Sequence, residues 1–185
     1  MAQVEGMRMK ELETKRLRLR KLTENDALSI FNGWANDPEV TKFLTWEPHE
    51  TVATTQAILT SWLVAYQDEQ TVRYGIESKA TDELLGMIDV VKFWDGSPVV
   101  GYVLGKQYWN QGYMTEAFGA VVAYLFELGY PQIFIEAEDI NIGSNSVIKK
   151  NGFKFIRQEE RPRSETEARL VKINIYLKSA LEKTV

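Results

Sequence analysis

The sequence predicts a mixed α/β domain, a sheet of about seven strands flanked by about four helices, and not an alternating doubly wound fold. Three observations point there. The hydrophobic period switches between about 3.6 and 2 residues several times along the chain. Two tight turn signals, Thr81-Asp82-Glu83 and Asp95-Gly96-Ser97, join three successive strand-like runs and make those neighbours antiparallel. No linker, low-complexity segment or internal repeat divides the 185 residues, so residues 1–185 read as one domain. At 44% hydrophobic and 26% charged, the chain has enough apolar mass for a core.

The elements follow in order. Residues 1–10 read as a loose start, and residues 12–22 as a strand. In Lys15-Arg16-Leu17-Arg18-Leu19-Arg20-Lys21 the leucines alternate with cations, which puts Leu17 and Leu19 inward and the charges in water. Thr23-Glu24-Asn25-Asp26 has capping-box spacing, and Ala27, Ile30, Phe31 and Trp34 continue at helical intervals until Asn36-Asp37-Pro38 stops them. A second helix begins near Thr51, with Ile58, Leu59, Trp62, Leu63 and Tyr66 on one face. Val72–Ser78, Leu84–Phe93 and Pro98–Leu104 are strands. Thr115–Leu128 is a helix closed by Gly129 and Pro131. Gln132–Ala137 is a strand and Ser144–Lys150 a short helix ended by Gly152, with Ser144 a candidate cap. Phe153–Gln158 and Leu170–Lys178 complete the sheet, and the charged run Arg157 to Glu167 between them reads as a solvated hairpin loop.

Composition excludes a good deal of chemistry. With no cysteine there is no disulfide framework, zinc finger or thiol nucleophile. With one histidine, His49, there is no HExxH zinc site, and no metal site is expected. The net charge of -4 lacks the basic stripe that phosphate contacts demand, so no direct nucleic-acid binding is expected. The longest apolar run, Ala120 to Phe126, is too short to span a bilayer, and the expected address is cytoplasmic.

Chemistry concentrates in Gly101 to Ala117, a strand, a loop and a helix start. The spacing of Gly101 and Gly105 fails the P-loop pattern, and Gln107 stands where Ser or Thr must follow Lys106. The dinucleotide GxGxxG pattern fails too. What remains is a helix N-terminus with free N–H donors and a glycine, Gly112, that lets an anion approach closely. Tyr108-Trp109-Asn110-Gln111-Gly112-Tyr113-Met114-Thr115-Glu116-Ala117 resembles the acetyl-CoA pyrophosphate loop of GNAT acetyltransferases, in particular the RimJ/RimL-like branch. Two further segments carry the same resemblance at the same spacing. One is Asn141-x-x-Ser144 with Lys150-Asn151-Gly152-Phe153; the other is Leu12 to Arg20 followed by Asn36-Asp37-Pro38-Glu39-Val40.

The resemblance covers about residues 12–178 and implies a GNAT-like fold and an N-acetyltransferase using acetyl-CoA as co-substrate. It implies that backbone groups near Val103 and Leu104 hold the pantetheine arm and polarise the thioester carbonyl. It places the pyrophosphate on the loop Trp109, Asn110, Gln111, Gly112, Tyr113, Met114 and Thr115, with Asn141 on the pantetheine chain and Ser144 beside the sulfur as proton donor. Trp109 replaces the superfamily's usual Arg or Gln, while Asn110 and Met114 stand where small residues are frequent. CoA carries its own activated acyl group, which suits a chain without cysteine.

Glu136, Glu138 and Asp89 are the carboxylates considered as base, with Glu136 at a position usual for the branch. The branch also has a carboxylate soon after its Gly-Phe motif, but none in Glu159 to Glu165 aligns with it. An α-amine costs only about 1 kcal/mol to deprotonate at neutral pH and a lysine roughly 4 to 5, so the lack of a convincing base favours an α-amine or another low-pKa amine over lysine. Trp46 and Glu47 are the expected acceptor contacts, an aromatic wall and a carboxylate for an ammonium; nearby His49 reads as a solvated loop residue. The acceptor is thus a protein N-terminus or, alternatively, a small amine; a non-catalytic acyl-CoA-binding module is the third reading, and a homodimer is allowed.

Overall fold

The computed structural model describes residues 9–164 and 169–180. Residues 1–8 of the expected loose start, and Glu165 to Glu167 of the charged run, lie outside the described residues. Among the described residues the sheet has eight strands in the order β1-β2-β3-β4-β5-β6-β8-β7. They are β1 Leu12–Glu13, β2 Leu17–Arg20, β3 Arg73–Ser78, β4 Leu84–Trp94, β5 Ser97–Leu104, β6 Gln132–Glu138, β7 Lys154–Pro162 and β8 Leu170–Ser179. Only β5 and β6 run parallel; every other neighbouring pair is antiparallel.

Two apolar layers sandwich the sheet. On one face, Leu17, Leu19, Tyr74, Ile76, Ile88, Val100, Ile133 and Ile135 pack with Phe118, Val121 and Leu125 of α4 (Tyr113–Glu127) and Ile148 of α5 (Ile142–Lys150). On the other, Leu84, Met87 and Val103 pack against Ala27, Ile30, Trp34 and Leu59, carried by α1 (Ala27–Ile30), the π turn Phe31–Ala35 and α3 (Val52–Ala65). The two-residue period of the strands and the 3.6-residue period of the helices create these faces. Among the described residues no helix is long and apolar enough to cross a membrane.

The count of eight strands differs from the expected seven because residues 12–22 are not continuous. The Thr14 hydroxyl accepts the Leu17 amide at 3.0 Å, and the Thr14 amide donates to the Leu17 carbonyl at 2.9 Å. That turn folds β1 back onto β2, with Leu12 opposite Leu19. A fifth helix, α2 (Pro38–Thr41), also appears. Pro38 ends the preceding helix as expected, yet its fixed φ also suits the first position of a new one, which Asp37 caps by accepting the Glu39 amide at 2.8 Å. Strand β7 runs to Pro162, so most of the run expected to be a loop is sheet.

Candidate active site

Strands β5 and β6 are in register only at Val99–Phe134 and Val100–Ile135. Beyond those pairs β5 stays with β4 as far as Leu104, while β6 stays with β8 as far as Glu138. The two strands therefore diverge, and a wedge opens between Gly101–Leu104 and Glu136–Glu138. Within β5 the ladder decides which groups face it. The Val103 carbonyl lies against Gly86 of β4 and leaves no room for a Cβ there, and the Gly105 amide donates to the Leu85 carbonyl at 2.8 Å. By antiparallel alternation, Tyr102 and Leu104 turn their backbone groups away from β4, toward the wedge. The Leu104 carbonyl is engaged by the Trp109 indole N–H at 2.8 Å.

The loop after β5 ends at the mouth of the wedge. Asn110 has φ +60 and Gly112 φ +79, and α4 starts at Tyr113. Asn adopts the left-handed region more readily than most residues, which fits Asn110 to its place. The first helical bond runs from the Glu116 amide to the Gly112 carbonyl at 3.0 Å, so the amides of Tyr113, Met114 and Thr115 have no partner within the helix. The Met114 side chain is buried in the core and takes no part in the mouth. The loop is braced by Arg16, whose guanidinium donates to the Gln111 carbonyl at 2.9 Å, pairs with Glu116 at 2.7 Å and stacks on Tyr113 at 4.3 Å. Burial pushes the Glu116 carboxyl up, but bonds from Thr14 and Arg16 outweigh it and hold it below the ordinary glutamate value. In the sequence Arg16 reads only as a solvated strand cation. Nothing local pairs it with a loop about a hundred residues away.

The far wall is α5. Asn141 is its cap, accepting the Ser144 amide on Oδ1 at 3.1 Å, so Ser144 is not the cap. The Ser144 hydroxyl is 3.0 Å from the Tyr102 hydroxyl, which thus links one wall of the wedge to the other. Burial pushes the Tyr102 phenol well above the ordinary tyrosine range. Beneath, the buried Asn145 side chain donates to the carbonyls of Glu138 (2.8 Å) and Asn141 (2.7 Å) and accepts from Asn174 (3.1 Å) and Tyr176 (2.5 Å). That one amide ties α5 to β6 and β8. Its role was not legible, because a single Asn in a polar helix carries no local signal.

The carboxylates lie on the opposite face. Ile133, Ile135 and Ala137 face α4, so alternation turns Glu136 and Glu138 toward the α1–α3 side. Glu136 pairs with Lys92 at 2.8 Å and with Arg161, and Glu138 pairs with Arg163 at 2.8 Å. Asp89 pairs with Arg73 at 2.8 Å, and burial pushes its carboxyl up. Trp46 and Glu47 line a cavity of about 250 Å³ with Lys42, Thr45 and Arg163. His49 is not solvated as expected. It is 7% exposed, its Nδ1 is 2.8 Å from the Thr55 hydroxyl, and its ring lies 4.9 Å from that of Trp46, so it anchors the loop that carries Trp46. Burial lowers its pKa.

Known proteins share this architecture. Residues 16–154 match the model of the acetyltransferase (GNAT) domain. Over 145 residues the chain is 33% identical to YoaA, an uncharacterized N-acetyltransferase of Bacillus subtilis, covering 77% of this chain and 81% of that protein. Among solved structures, an acetyltransferase (GNAT family) from Bacillus anthracis superposes with a TM-score of 0.79 at 20% identity, over 92% of this chain and 98% of that one. RimL, a ribosomal L7/L12 alpha-N-protein acetyltransferase solved in complex with coenzyme A, superposes with a TM-score of 0.81 at 17% identity, over 92% and 98%.

Proposed function

The chain belongs to the GNAT acetyltransferase family, and from that premise we propose that it transfers the acetyl group of acetyl-CoA directly to a primary amine, foremost the α-amine of a protein or peptide N-terminus. The observation that carries the reading is the wedge between β5 and β6, with unpartnered helix amides at one end and a serine hydroxyl on its far wall. The groups fit the co-substrate. Amides of Gln111, Gly112, Tyr113, Met114 and Thr115 suit the pyrophosphate, with Asn110 shaping the turn and Arg16 adding positive charge. Asn141 and the backbone of Tyr102 and Leu104 suit the pantetheine arm. Because Val103 turns its carbonyl to β4, the amide of Leu104 is the oxyanion donor, while Trp109 occupies the Leu104 carbonyl.

The step balances simply. The amine nitrogen bonds to the acetyl carbon, the carbon–sulfur bond breaks, the sulfur takes a proton from Ser144, and the amine's surplus proton leaves to water and returns to Ser144. Both carboxylate oxygens of Glu136 are already engaged, one by Lys92 and one by Arg161, so the step is written without it as proton acceptor. Glu138 is paired with Arg163 and Asp89 with Arg73, and neither is given a part in the step. An amine that deprotonates at low cost therefore suits the site, and RimL, named for alpha-N-protein acetylation, shares the fold. Trp46 and Glu47 present an aromatic face and a carboxylate to the incoming ammonium. The cavity of about 250 Å³ favours a second reading as well, a small amine held whole.

Mass spectrometry of acetyl-CoA reactions with N-terminal peptides, beside a panel of polyamines and amino-acid derivatives, tests this. Acetylated peptides are expected. Turnover of small amines alone would select the second reading, and CoA binding without transfer to any amine would leave a non-catalytic binding module.

A further inference from the structure

The phenol of Tyr102 has two acceptors within reach, and both belong to Ser144: the hydroxyl oxygen at 3.0 Å and the backbone carbonyl at 3.3 Å. That carbonyl lies within α5, where it already serves the helix ladder. A phenol is a better donor than an aliphatic hydroxyl, so the shorter bond runs from Tyr102 to the Ser144 oxygen. A serine whose oxygen accepts one bond keeps its own hydrogen for another acceptor. The Tyr102 ring is fixed, edge-on to Phe118 at 5.5 Å, and Phe118 is stacked on Phe153 at 5.0 Å. Burial, which disfavours a phenolate, keeps the hydrogen on Tyr102.

We propose that Tyr102 is the positioning residue for Ser144: by donating to the serine oxygen across the wedge, it frees and aims the serine hydrogen at the departing sulfur. The inference rests on the acyl-transfer reading above and adds a residue to it. Tyr102 itself contributes no proton to the products; it holds one hydrogen bond throughout the step.

Tyr102→Phe, Ser144→Ala and the double variant test it, with CoA affinity measured by calorimetry, kcat by thiol release with the best acceptor, and folding by thermal melting. Tyr102→Phe keeps the ring and its packing against Phe118. It is expected to lower kcat by about tenfold or more while leaving the Kd for CoA within about twofold. The double variant is expected to be no slower than Ser144→Ala, because a residue acting through Ser144 has nothing left to position. A Tyr102→Phe enzyme with the wild-type kcat would overturn the proposal. So would multiplicative losses in the double variant, or a weakening of CoA binding that matches the loss in rate, which marks a merely structural role. Failure of the underlying reading shows separately and earlier: wild-type protein that binds no CoA or acetylates no amine overturns both.

Discussion

The two sides of the wedge are built from different materials. On the α4–α5 face the working groups are mostly backbone amides and neutral hydroxyls, held by turns and caps (Gly112 at φ +79, the Asn141 cap, Tyr102 against Ser144) and braced by one ion pair, Arg16 with Glu116. On the α1–α3 face they are long charged side chains joined across strands, Glu136 with Lys92 and Arg161, Glu138 with Arg163, Asp89 with Arg73. A backbone site is rigid and indifferent to which amine arrives. An ion-paired face can be rewired by exchanging a few side chains, so acceptor choice can change while cofactor binding stays fixed.

Four substitutions would break or sharpen that contrast, the largest effect first. Asn145→Ala takes the acceptor from the buried Tyr176 hydroxyl and the half-buried Asn174 amide and removes one of the two bonds on each of the Glu138 and Asn141 carbonyls, and about 3 kcal/mol of stability is expected to be lost. In a chain of this size that lowers the melting temperature by about 6 to 12 °C, read by differential scanning calorimetry. Gly112→Val forces a branched residue into a left-handed conformation, with its Cβ 3.3 Å from the Arg16 guanidinium. The strain is about 1–2 kcal/mol, so CoA is expected to bind about tenfold more weakly by calorimetry, with the acceptor KM unchanged.

Glu136→Gln probes the charged side. It is expected to raise the acceptor KM and to change kcat by less than about tenfold, since both carboxylate oxygens are already engaged by Lys92 and Arg161. A loss in kcat of about a hundredfold or more in steady-state assays would make Glu136 the base.

The smallest effect concerns His49. Burial lowers its pKa from 6.5 in the folded state, so below about pH 6.5 the unfolded chain takes up a proton that the folded chain does not. Its contribution to stability is complete above that pH and falls as pH drops toward the folded value, by at most about 1.4 kcal/mol per pH unit. Urea midpoints compared at about pH 7.5 and 5.5 are expected to differ less in His49→Gln than in the wild type.

Much of this was legible in the sequence, for local reasons. The turns at Thr81-Asp82-Glu83 and Asp95-Gly96-Ser97, the helix start near Thr51 and the helix closed by Gly129 each depend on residues within a few positions of one another. The turn at Gly112 ahead of α4 was legible for the same reason. The first strand was not, because a hydroxyl bond from Thr14 divides a pattern that alternation alone makes continuous. His49 was misjudged because its burial depends on Thr55 and on the packing of Trp46.

The sequence by itself determined most of the order of elements, the turn at Gly112 that starts α4, and the lack of a cysteine nucleophile, since period, turn residues and composition are local or additive properties. The tertiary structure alone decided that Ser144 meets Tyr102, that Arg16 braces the Gln111 turn, and that the carboxylates near the wedge are ion-paired. Each of these is a contact between residues about 25 to 100 positions apart, and no short-range pattern encodes which distant partner a side chain will reach once strands diverge and helices dock.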